Sequence, residues 1–417
     1  MSSLGRRDFA LLAASVAPFV YTLFDSSQGD VPLYHRYAQN LLGGALPYRD
    51  WVFEYPPYAL MWLVLPGAAH GATAFRALFS LQVLALDLVV KVVLLHEGRR
   101  RPQSTELGRL GPFLVFSVLG IFQSYFYLKR LDAIAAALVV VALVSFANDR
   151  LAAAGALLSV AAGTKLYPAL IAPALLCLAF ERGKALRLVA GAAAALVPLA
   201  VISIFVPWWR FASFQAARGL QVESSYGAIL WLMHFFGTPA SWVSRPGCCL
   251  EVGGPAALAL TPVARVLFGA VTLAAVGASV VCVWPRSPGL AAGSGKSAES
   301  AGSARLGRVA LLPIVAFMVS SVALSPQFAV WLIGPLALAA ARGRPTPLAV
   351  LAVAVMLTAL VFPAPGYFTP GGIALGRTLV LVARNATLLI ALALLVGEVA
   401  ATRSGARTMS PPDDTVL

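Results

Sequence analysis

Long apolar runs separated by short polar breaks set the strongest limit on what this chain can fold into. A membrane-spanning helix needs about twenty mainly apolar residues. Twelve apolar runs near that length follow one another along the 417 residues. We place them near residues 9–25, 74–96, 110–127, 131–147, 151–164, 167–180, 186–207, 263–284, 309–324, 327–341, 346–362 and 373–399. The sequence therefore predicts an all-α polytopic membrane protein with about 12 transmembrane helices.

The composition excludes an ordinary soluble domain. Only 12% of the residues are charged, whereas soluble domains have about 25%. The formal net charge of +14 would suit a nucleic-acid partner, but the basic residues flank apolar runs and do not cluster on a polar face. Loops on the cytoplasmic side of a membrane carry the excess of Lys and Arg, so orientation accounts better for these charges.

The distribution of basic residues predicts which loops face the cytoplasm. With both termini on the cytoplasmic side, the inner segments with the adjoining span ends hold 18 basic residues, and the outer segments with theirs hold 11. Counting residues 55–70 as one more crossing would move Arg99-Arg100-Arg101 to the outer side. We therefore predict that residues 55–70 form an interfacial helix and that both termini are cytoplasmic.

The first apolar run has two interpretations. Arg6-Arg7-Asp8-Phe9 before an apolar stretch resembles a twin-arginine export signal, and it equally suits a basic flank before a first span. Further spans follow without any return to a soluble composition, so cleavage would remove one helix from a bundle that needs it. We favour the uncleaved span.

One membrane domain over residues 1–400 is predicted, with its polar segments as loops. The first outer loop, residues 26–73, should hold two juxtamembrane helices. One runs from Val31 to a stop at Gly43-Gly44, and the other runs from Pro56-Pro57 to Gly71. The remaining segments are a second outer loop at 208–262 with a half-inserted helix near 228–236, a flexible cytoplasmic loop at 285–308 and a cytoplasmic tail at 401–417.

Acidic residues are few on the predicted outer side, and Asp30 is the leading candidate for acid–base chemistry there. Such chemistry needs a titratable group within hydrogen-bonding reach of the substrate. A structural interpretation also exists, because Asp30 precedes Val31-Pro32 at a helix start, where a carboxylate caps backbone N–H groups. The two roles are compatible, since a capping carboxylate is also held in a fixed position.

Three other outer turns carry charges with both a structural and a ligand-binding interpretation. Lys129-Arg130-Leu131-Asp132 places three charges at the edge of the membrane's hydrocarbon core, where charged side chains must form ion pairs or bind a ligand. The structural alternative pairs Asp132 with Arg130 or Lys129. The structural alternative for Lys165 is that its side chain extends along the apolar surface and places its ammonium group in water. For Glu54 the structural alternative is that the residue only marks the start of the helix at the prolines that follow.

The second outer loop brings a cation, an amide, a carboxylate and a hydroxyl together between Arg218 and Ser224. A guanidinium can place two N–H groups on a phosphate, so we predict a ligand-binding role for Arg218. The neighbouring Cys248-Cys249 pair is interpreted as incidental. The sequence contains no P-loop, no nucleotide-binding glycine fingerprint and no His/Cys metal cluster.

Taken in order, these motifs resemble the polytopic C-type glycosyltransferases, and most of all the polyprenol-phosphate-mannose-dependent family, glycosyltransferase family 87. The resemblance extends over most of the chain. It is carried by Asp30-x3-Tyr34, Gly43-Gly44-Ala45-Leu46-Pro47-Tyr48, Glu54-Tyr55-Pro56-Pro57, Arg130-Leu131-Asp132, Lys165-Leu166-Tyr167-Pro168, Arg218-x2-Gln221-x-Glu223-Ser224 and Ser325-Pro326-Gln327-x3-Trp331. Each motif is weak alone, but the ordered series is fairly specific.

The resemblance implies a C-type glycosyltransferase-like helix bundle and places the catalytic general base at Asp30. Some relatives carry two adjacent acids there. This chain has Gln28-Gly29 before Asp30 instead, so Asp25 stays a rival base. Substrate-binding roles are implied for Tyr34, Glu54, Lys129, Arg130, Asp132, Lys165, Arg218, Gln221 and Glu223.

The implied reaction moves a hexose, mannose in this family, from a polyprenyl-phosphate donor to an envelope glycolipid or glycan. The transfer is an inverting displacement at the outer face of the plasma membrane. We expect no cofactor and no metal ion, because closely grouped oxygen ligands are missing beside Asp30. The abundance of Ala, Gly and Arg is typical of a GC-rich bacterial genome, which favours a plasma-membrane location.

A transporter or lipid flippase without covalent chemistry is the main alternative. Transporters usually place ionisable residues near the bilayer midplane. The few charges inside the apolar runs are Asp87, Lys91, Arg384 and Glu398, and three of them lie toward predicted cytoplasmic ends. The clustering of charges on the predicted outer side favours an enzyme. A third interpretation is an assembly subunit or polymerase for envelope glycans.

Overall fold

A computed structural model describes residues 5–24, 29–100, 105–245, 249–284, 297–340, 345–361 and 373–404. These residues form 17 α-helices and one two-stranded hairpin. Five helical segments are long and apolar enough to cross a membrane, and six shorter helical segments are also apolar. The five are Ala72–Arg99, Ala185–Phe205, Pro255–Val283, Gly302–Ser320 and Leu375–Ala401. The prediction of a helical, multi-pass membrane protein is confirmed at this level.

The helices follow the apolar runs along the chain. The first ten are α1 Arg6–Phe24, α2 Val31–Leu42, α3 Met61–Gly67, α4 Ala72–Arg99, α5 Glu106–Phe122, α6 Ser124–Tyr127, α7 Leu131–Ala147, α8 Leu151–Thr164, α9 Ala172–Glu181 and α10 Ala185–Phe205. The others are α11 Arg210–Ala216, α12 Ser225–His234, α13 Pro255–Val283, α14 Ser297–Ser320, α15 Val330–Ala339, α16 Pro345–Val361 and α17 Leu375–Ser404. Short 3-10 turns at Pro57–Ala59, Tyr167–Ile171 and Pro326–Ala329 precede α3, α9 and α15.

Burial separates the core helices from those at the periphery. Helices α7 and α15 are apolar on all sides, and every side chain of α15 is buried. A helix that is apolar all round belongs in the interior of a bundle. Helices α10 and α13 instead expose large apolar side chains such as Phe205 and Leu273. An apolar outer surface of this kind suits contact with lipid.

The two predicted juxtamembrane helices differ in outcome. Helix α2 has the predicted bounds, with Val31, Tyr34 and Ala38 buried and the Gly43 N–H bonded to the Gln39 carbonyl. The second is shorter than predicted, because it begins as the 3-10 turn Pro57–Ala59 and continues as α3 only to Gly67. The helix also ends four residues before the predicted stop, because Gly71, with a φ of 88°, is the residue before α4.

Other expectations about the loops need correction. The all-α fold class is confirmed, but a small antiparallel hairpin, formed by β1 Ser241–Arg245 and β2 Cys249–Gly253, was not predicted inside the loop 208–262. That loop also ends earlier than residue 262, because α13 begins at Pro255. The stretch predicted as flexible, residues 285–308, is helical from Ser297 onward. A helix is present at Ser225–His234, close to the one predicted in that loop.

Charged contacts collect in two separate sets of loops. The predicted cytoplasmic segments are joined by the ion pairs Arg7–Glu106, Arg99–Asp8 and Lys184–Asp149, and the predicted outer segments by Arg130–Asp30, Lys165–Asp132 and Arg218–Glu54. Within the described ranges, no ion pair joins one set to the other. The loops therefore segregate as the charge distribution predicts, and which set faces the cytoplasm stays a prediction.

Helices α8 and α10 cross at two glycines, and a side chain at either should separate them. A Cβ atom on Gly191 would overlap the Ala152 carbonyl, and one on Gly155 would overlap the Leu188 carbonyl. We expect Gly191→Ala to lower stability by about 1–3 kcal/mol, measured as a lower thermal midpoint in nanodiscs. The control is Gly277→Ala, where the added Cβ meets open space and stability should not fall. Equal midpoints for both variants would contradict the close crossing.

Candidate functional site

A cavity of about 600 Å³ lies where the predicted outer loops meet. This volume is within the range of small-molecule sites, about 300–1,000 Å³. Its polar wall contains Asp30, Glu54, Arg130, Lys165, Gln215, Arg218, Gln221, Glu223, Ser321, Ser325 and Gln327. Its apolar wall includes Tyr55, Tyr167, Phe211, Phe268, Phe317, Phe328 and Trp331. A mainly apolar cavity with a few convergent charged groups is typical of a ligand-binding site.

Asp30 is held at the cavity wall by an ion pair and not by helix capping. It occupies the N-cap position of α2, but its side chain makes no capping hydrogen bond. Its carboxylate pairs with the guanidinium of Arg130, the residue before α7. The Arg130 side chain is 10% exposed and that of Asp30 is 26% exposed. The capping interpretation is therefore wrong, and the carboxylate is fixed between two elements with one side open.

Asp132, in the first turn of α7, is fully buried beside the cavity. Its carboxylate accepts hydrogen bonds from Trp331 Nε1 at 2.7 Å and from Lys165 Nζ at 3.2 Å. The partner predicted for Asp132 was Arg130 or Lys129. Arg130 pairs with Asp30 instead, and a different outer turn supplies the cation. The contact with Asp132 therefore holds the Lys165 ammonium in the cavity wall.

Three stacked aromatic rings form one side of the cavity. The Trp331 ring lies between Tyr167, at a centroid distance of 4.2 Å, and Phe328, at 3.8 Å. The rings are tilted by only 8° and 18° from parallel. Because the rings come from the 3-10 turns before α9 and α15 and from α15 itself, the stack joins two outer turns. Both faces of the Trp331 ring are covered by its neighbours, and the stack gives this side of the cavity an apolar surface beside its polar groups.

The unpredicted hairpin holds the loop that carries Arg218. The Nη2 atom of Arg218 lies 3.7 Å from Glu54 Oε2, so this cation also faces a carboxylate. The Glu251 carboxylate, on β2, accepts the Gly219 N–H at 2.8 Å, and Arg265 donates to the Arg218 carbonyl at 2.8 Å. The role of Glu251 could not be predicted from the sequence, because the strand that carries it was not predicted.

The next part of the same loop is fixed from two sides. The Gln221 N–H donates to the Val322 carbonyl at 2.9 Å. Arg384 Nη2 and Asn385 Nδ2 donate to the Glu223 carbonyl at 2.8 Å and 3.2 Å. In the sequence, Arg384 was one of the few charges within apolar runs, and in the structure it contacts the loop of the cavity. A buried arginine needs a hydrogen-bond acceptor or a counterion, so an arginine within an apolar run indicates a contact of this kind.

Burial raises the pKa of two carboxyl groups in the cavity wall. The pKa of Glu223 rises from 4.5 to about 7, against the attraction of Arg384 and Arg218. The pKa of Glu54 also rises, although the positive charges of Arg218 and Lys165 oppose the shift. Desolvation dominates in both groups, because burial disfavours the charged carboxylate. Glu223 therefore exchanges its proton near neutral pH.

The raised pKa of Glu223 predicts a pH dependence of stability. The folded protein binds this proton more tightly than the unfolded chain, so stability is full below pH 4.5 and falls as pH rises to about 7. We expect Glu223→Gln to remove this contribution, which is at most about 3 kcal/mol. The measurement is the thermal midpoint of both proteins between pH 4 and pH 8. Parallel curves for the two proteins would show that Glu223 does not titrate in this range.

Most of the predicted site residues converge. Those that line the cavity are Asp30, Glu54, Arg130, Lys165, Arg218, Gln221 and Glu223. Tyr34, Lys129 and Asp132 are buried behind the wall, with the Tyr34 hydroxyl 3.4 Å from that of Tyr55. Asp25 and Cys248 lie outside the described residues. Within the described ranges, no group of three or more His, Cys, Asp or Glu side chains is arranged to hold a metal ion.

The apolar helices and the charged cavity define a multi-pass membrane protein with a ligand site built from loops. The model of glycosyltransferase family 87 matches residues 53–250. The match confirms, over these residues, the resemblance seen in the motifs, and it indicates a glycosyltransferase. The matched region includes the cavity residues from Glu54 to Leu250, whereas Asp30 and Trp331 lie outside it. No curated protein matches the chain.

Proposed function

We propose that the protein transfers a hexose, with mannose as the first candidate, from a polyprenyl-phosphate donor to an envelope glycolipid or glycan. Glycosyl transfer rests on the family match, and the donor, sugar and acceptor are the proposal. One observation carries it: a single cavity unites the partly exposed carboxylate of Asp30 with the cations Arg130, Lys165 and Arg218. A hydroxyl nucleophile needs a base, and a phosphate leaving group needs positive charge.

The proposed reaction is a single inverting displacement with Asp30 as general base. The acceptor hydroxyl oxygen attacks the anomeric carbon of the donor sugar, and its proton passes to the Asp30 carboxylate. The bond from the anomeric carbon to the phosphate oxygen breaks, and its electron pair leaves with the polyprenyl phosphate. Inverting glycosidases use a carboxylate in the same way, to activate the nucleophile on the face opposite the leaving group.

The cations of the cavity suit the charge that builds on the leaving phosphate. Lys165 is fixed by its contact with Asp132, and Arg218 is fixed by the hairpin, so both are in place before the reaction begins. Preorganised charge is the main way in which an enzyme stabilises such a transition state. Arg130 pairs with Asp30. A donor phosphate would compete for Arg130 and leave the Asp30 carboxylate available for its proton.

The proposed membrane arrangement has about 12 transmembrane helices, both termini in the cytoplasm and the cavity at the outer face of the plasma membrane. The excess of basic residues in one set of loops supports this orientation, because that set does not form the cavity. Phe268 on α13 and Phe317 on α14 belong to the apolar part of the cavity wall. These rings suit the first isoprene units of a donor whose tail lies among the helices.

The test is transfer of labelled mannose from polyprenyl-phosphate-mannose to extracted cell-envelope lipids by the purified full-length protein in liposomes. We expect labelled product from this donor and none from a nucleotide-linked mannose. Parallel donors that carry glucose or arabinose identify the sugar if mannose is not transferred. A folded protein that transfers sugar from no polyprenyl-phosphate donor would contradict the proposal and favour a lipid flippase or transporter.

A further inference from the structure

Two buried oxygen atoms in the cavity wall have no hydrogen-bond donor among the described residues. They are Oε1 of Gln221 and Oε2 of Glu223. Both side chains line the cavity, with only 5% and 3% of their surfaces exposed. Leaving a buried acceptor without a donor costs about 1–3 kcal/mol. A pair of such atoms in the wall of a ligand cavity therefore calls for an explanation, and a ligand that donates hydrogen bonds supplies one.

Arg384 and Arg218 attract the charge of Glu223, but the described ion pairs of the cavity's cations go to other carboxylates. Arg130 pairs with Asp30, Lys165 pairs with Asp132, and Arg218 lies nearest to Glu54 in the described ion pairs. Arg384 and Asn385 bind the backbone carbonyl of Glu223, which fixes the residue without using the Oε2 atom. The Glu223 side chain is therefore held at the cavity while one of its oxygens is available to a ligand.

The chemistry of the two acceptors selects the ligand. A phosphodiester carries no proton to donate near neutral pH and would be repelled by a carboxylate, whereas a hydroxyl donates well to either oxygen. The Gln221 amide is also within hydrogen-bonding reach of the Glu223 carboxylate, so the two acceptors are neighbours. Two neighbouring acceptors match two neighbouring hydroxyls of a sugar. The aromatic stack centred on Trp331 gives the same cavity an apolar wall, which suits the C–H groups of a sugar.

We propose that Gln221 and Glu223 form a hydroxyl-binding subsite for a hexose, in which each side chain accepts a hydrogen bond from one sugar hydroxyl. This hexose belongs to the donor or to the acceptor of the proposed transfer reaction, so the assignment of its source rests on the proposed function. The raised pKa of Glu223 is compatible with this role, because a carboxylate that exchanges its proton near neutral pH exists in part in the accepting form.

The first experiment measures sugar binding without any transfer. Full-length protein in nanodiscs is titrated with methyl mannoside and methyl glucoside, and binding is followed by saturation-transfer NMR. We expect Glu223→Gln and Gln221→Leu each to weaken binding of the preferred sugar by about tenfold, the loss expected for one hydrogen bond to a charged or buried group. The control is Asp149→Asn, which removes a carboxylate that pairs with Lys184 at the other set of loops and should leave affinity unchanged.

A second measurement keeps the proposal testable if a variant is partly unfolded. Monodeoxy methyl hexosides are compared on the wild-type protein and on Glu223→Gln, and the thermal midpoint of each protein is recorded. The deoxy sugar that lacks the hydroxyl bound by Glu223 should bind the wild-type protein about tenfold more weakly than the parent sugar does. This deoxy sugar should bind the wild-type protein and Glu223→Gln with equal affinity. A general folding defect would lower the affinity of the variant for every sugar and would not remove the difference at one hydroxyl.

The transfer assay separates the two sources of the hexose. A higher KM of Glu223→Gln for the polyprenyl-phosphate donor assigns the subsite to the donor sugar, and a higher KM for the acceptor lipid assigns it to the acceptor. Unchanged sugar affinity in both variants, or no binding of any hexoside by the wild type, would overturn the subsite even if transfer occurs. Sugar binding that depends on Glu223 without any transfer would overturn the proposed function and leave the subsite standing.

Discussion

Replacing Asp30 with Asn should lower hexose transfer by about 10²–10⁴-fold, the usual contribution of a general base. The amide has nearly the shape of the carboxylate but cannot take the proton of the acceptor hydroxyl. The variant should fold, because Asp30 is partly exposed and makes no capping bond to α2. The measurement is the initial rate in liposomes at saturating donor, with the thermal midpoint recorded beside it.

Two further variants test whether the loss of transfer is specific to Asp30. Asp50→Asn is the matched control, since Asp50 lies in the same predicted outer loop, is exposed and pairs with Arg49. It should transfer sugar at the wild-type rate. Asp25→Asn tests the rival base. Near-normal turnover in Asp30→Asn together with loss in Asp25→Asn would move the base role to Asp25.

Helices bounded by polar turns were predicted most closely. The predicted run 131–147 is helix α7, Leu131–Ala147, and the run 151–164 is α8, Leu151–Thr164. Charged or polar residues at Arg130, at Asn148 and at Lys165 interrupt these apolar runs, so the pattern fixes both ends of each helix.

Elements without a long apolar run were predicted poorly. The hairpin of β1 and β2 has strands of five residues, too short for periodicity to separate it from the surrounding loop. The second juxtamembrane helix was predicted from its prolines, which mark a helix start but do not set a length. The start of α14 at Ser297 lies in a stretch rich in Ser and Gly, where the composition indicated a flexible connection.

Most residues that form the site could be predicted from the sequence, but the partner of each charged residue could not. Charged residues are rare in this chain, so those in one set of loops were expected to converge, and most of them line one cavity. The partner of each charge depends on contacts between distant positions. Trp331 and Asp132 are separated by 199 positions, and Arg384 and Glu223 by 161. No local sequence pattern predicts such contacts, which is why the ion-pair partners predicted for Asp132 were wrong.

Replacing Asp132 with Ala should lower the free energy of unfolding by about 3–5 kcal/mol, the usual effect of removing one partner of a buried ion pair. The change removes the acceptor of the Trp331 Nε1–H and the counterion of Lys165 at once. Asp132→Asn should be milder, because an amide oxygen still accepts from the indole. The measurement is the thermal or denaturant-induced unfolding of the full-length protein in a defined detergent.

The matched control is Asp149→Asn, which also removes a carboxylate from a lysine, Lys184, but at an exposed turn. Asn is used because the backbone of residue 149 is left-handed, with a φ of 62°, and Asn tolerates this conformation better than Ala. Exposed pairs contribute about 0–1 kcal/mol, so this variant should lose far less stability than Asp132→Ala. Adding Lys165→Met to Asp132→Ala should restore part of the stability, because it removes the cation left without its carboxylate. Equal stabilities of Asp132→Ala and Asp149→Asn would mean that Lys165 reaches water without Asp132. The position of this cation in the cavity would then be set by the ligand and not by the fold.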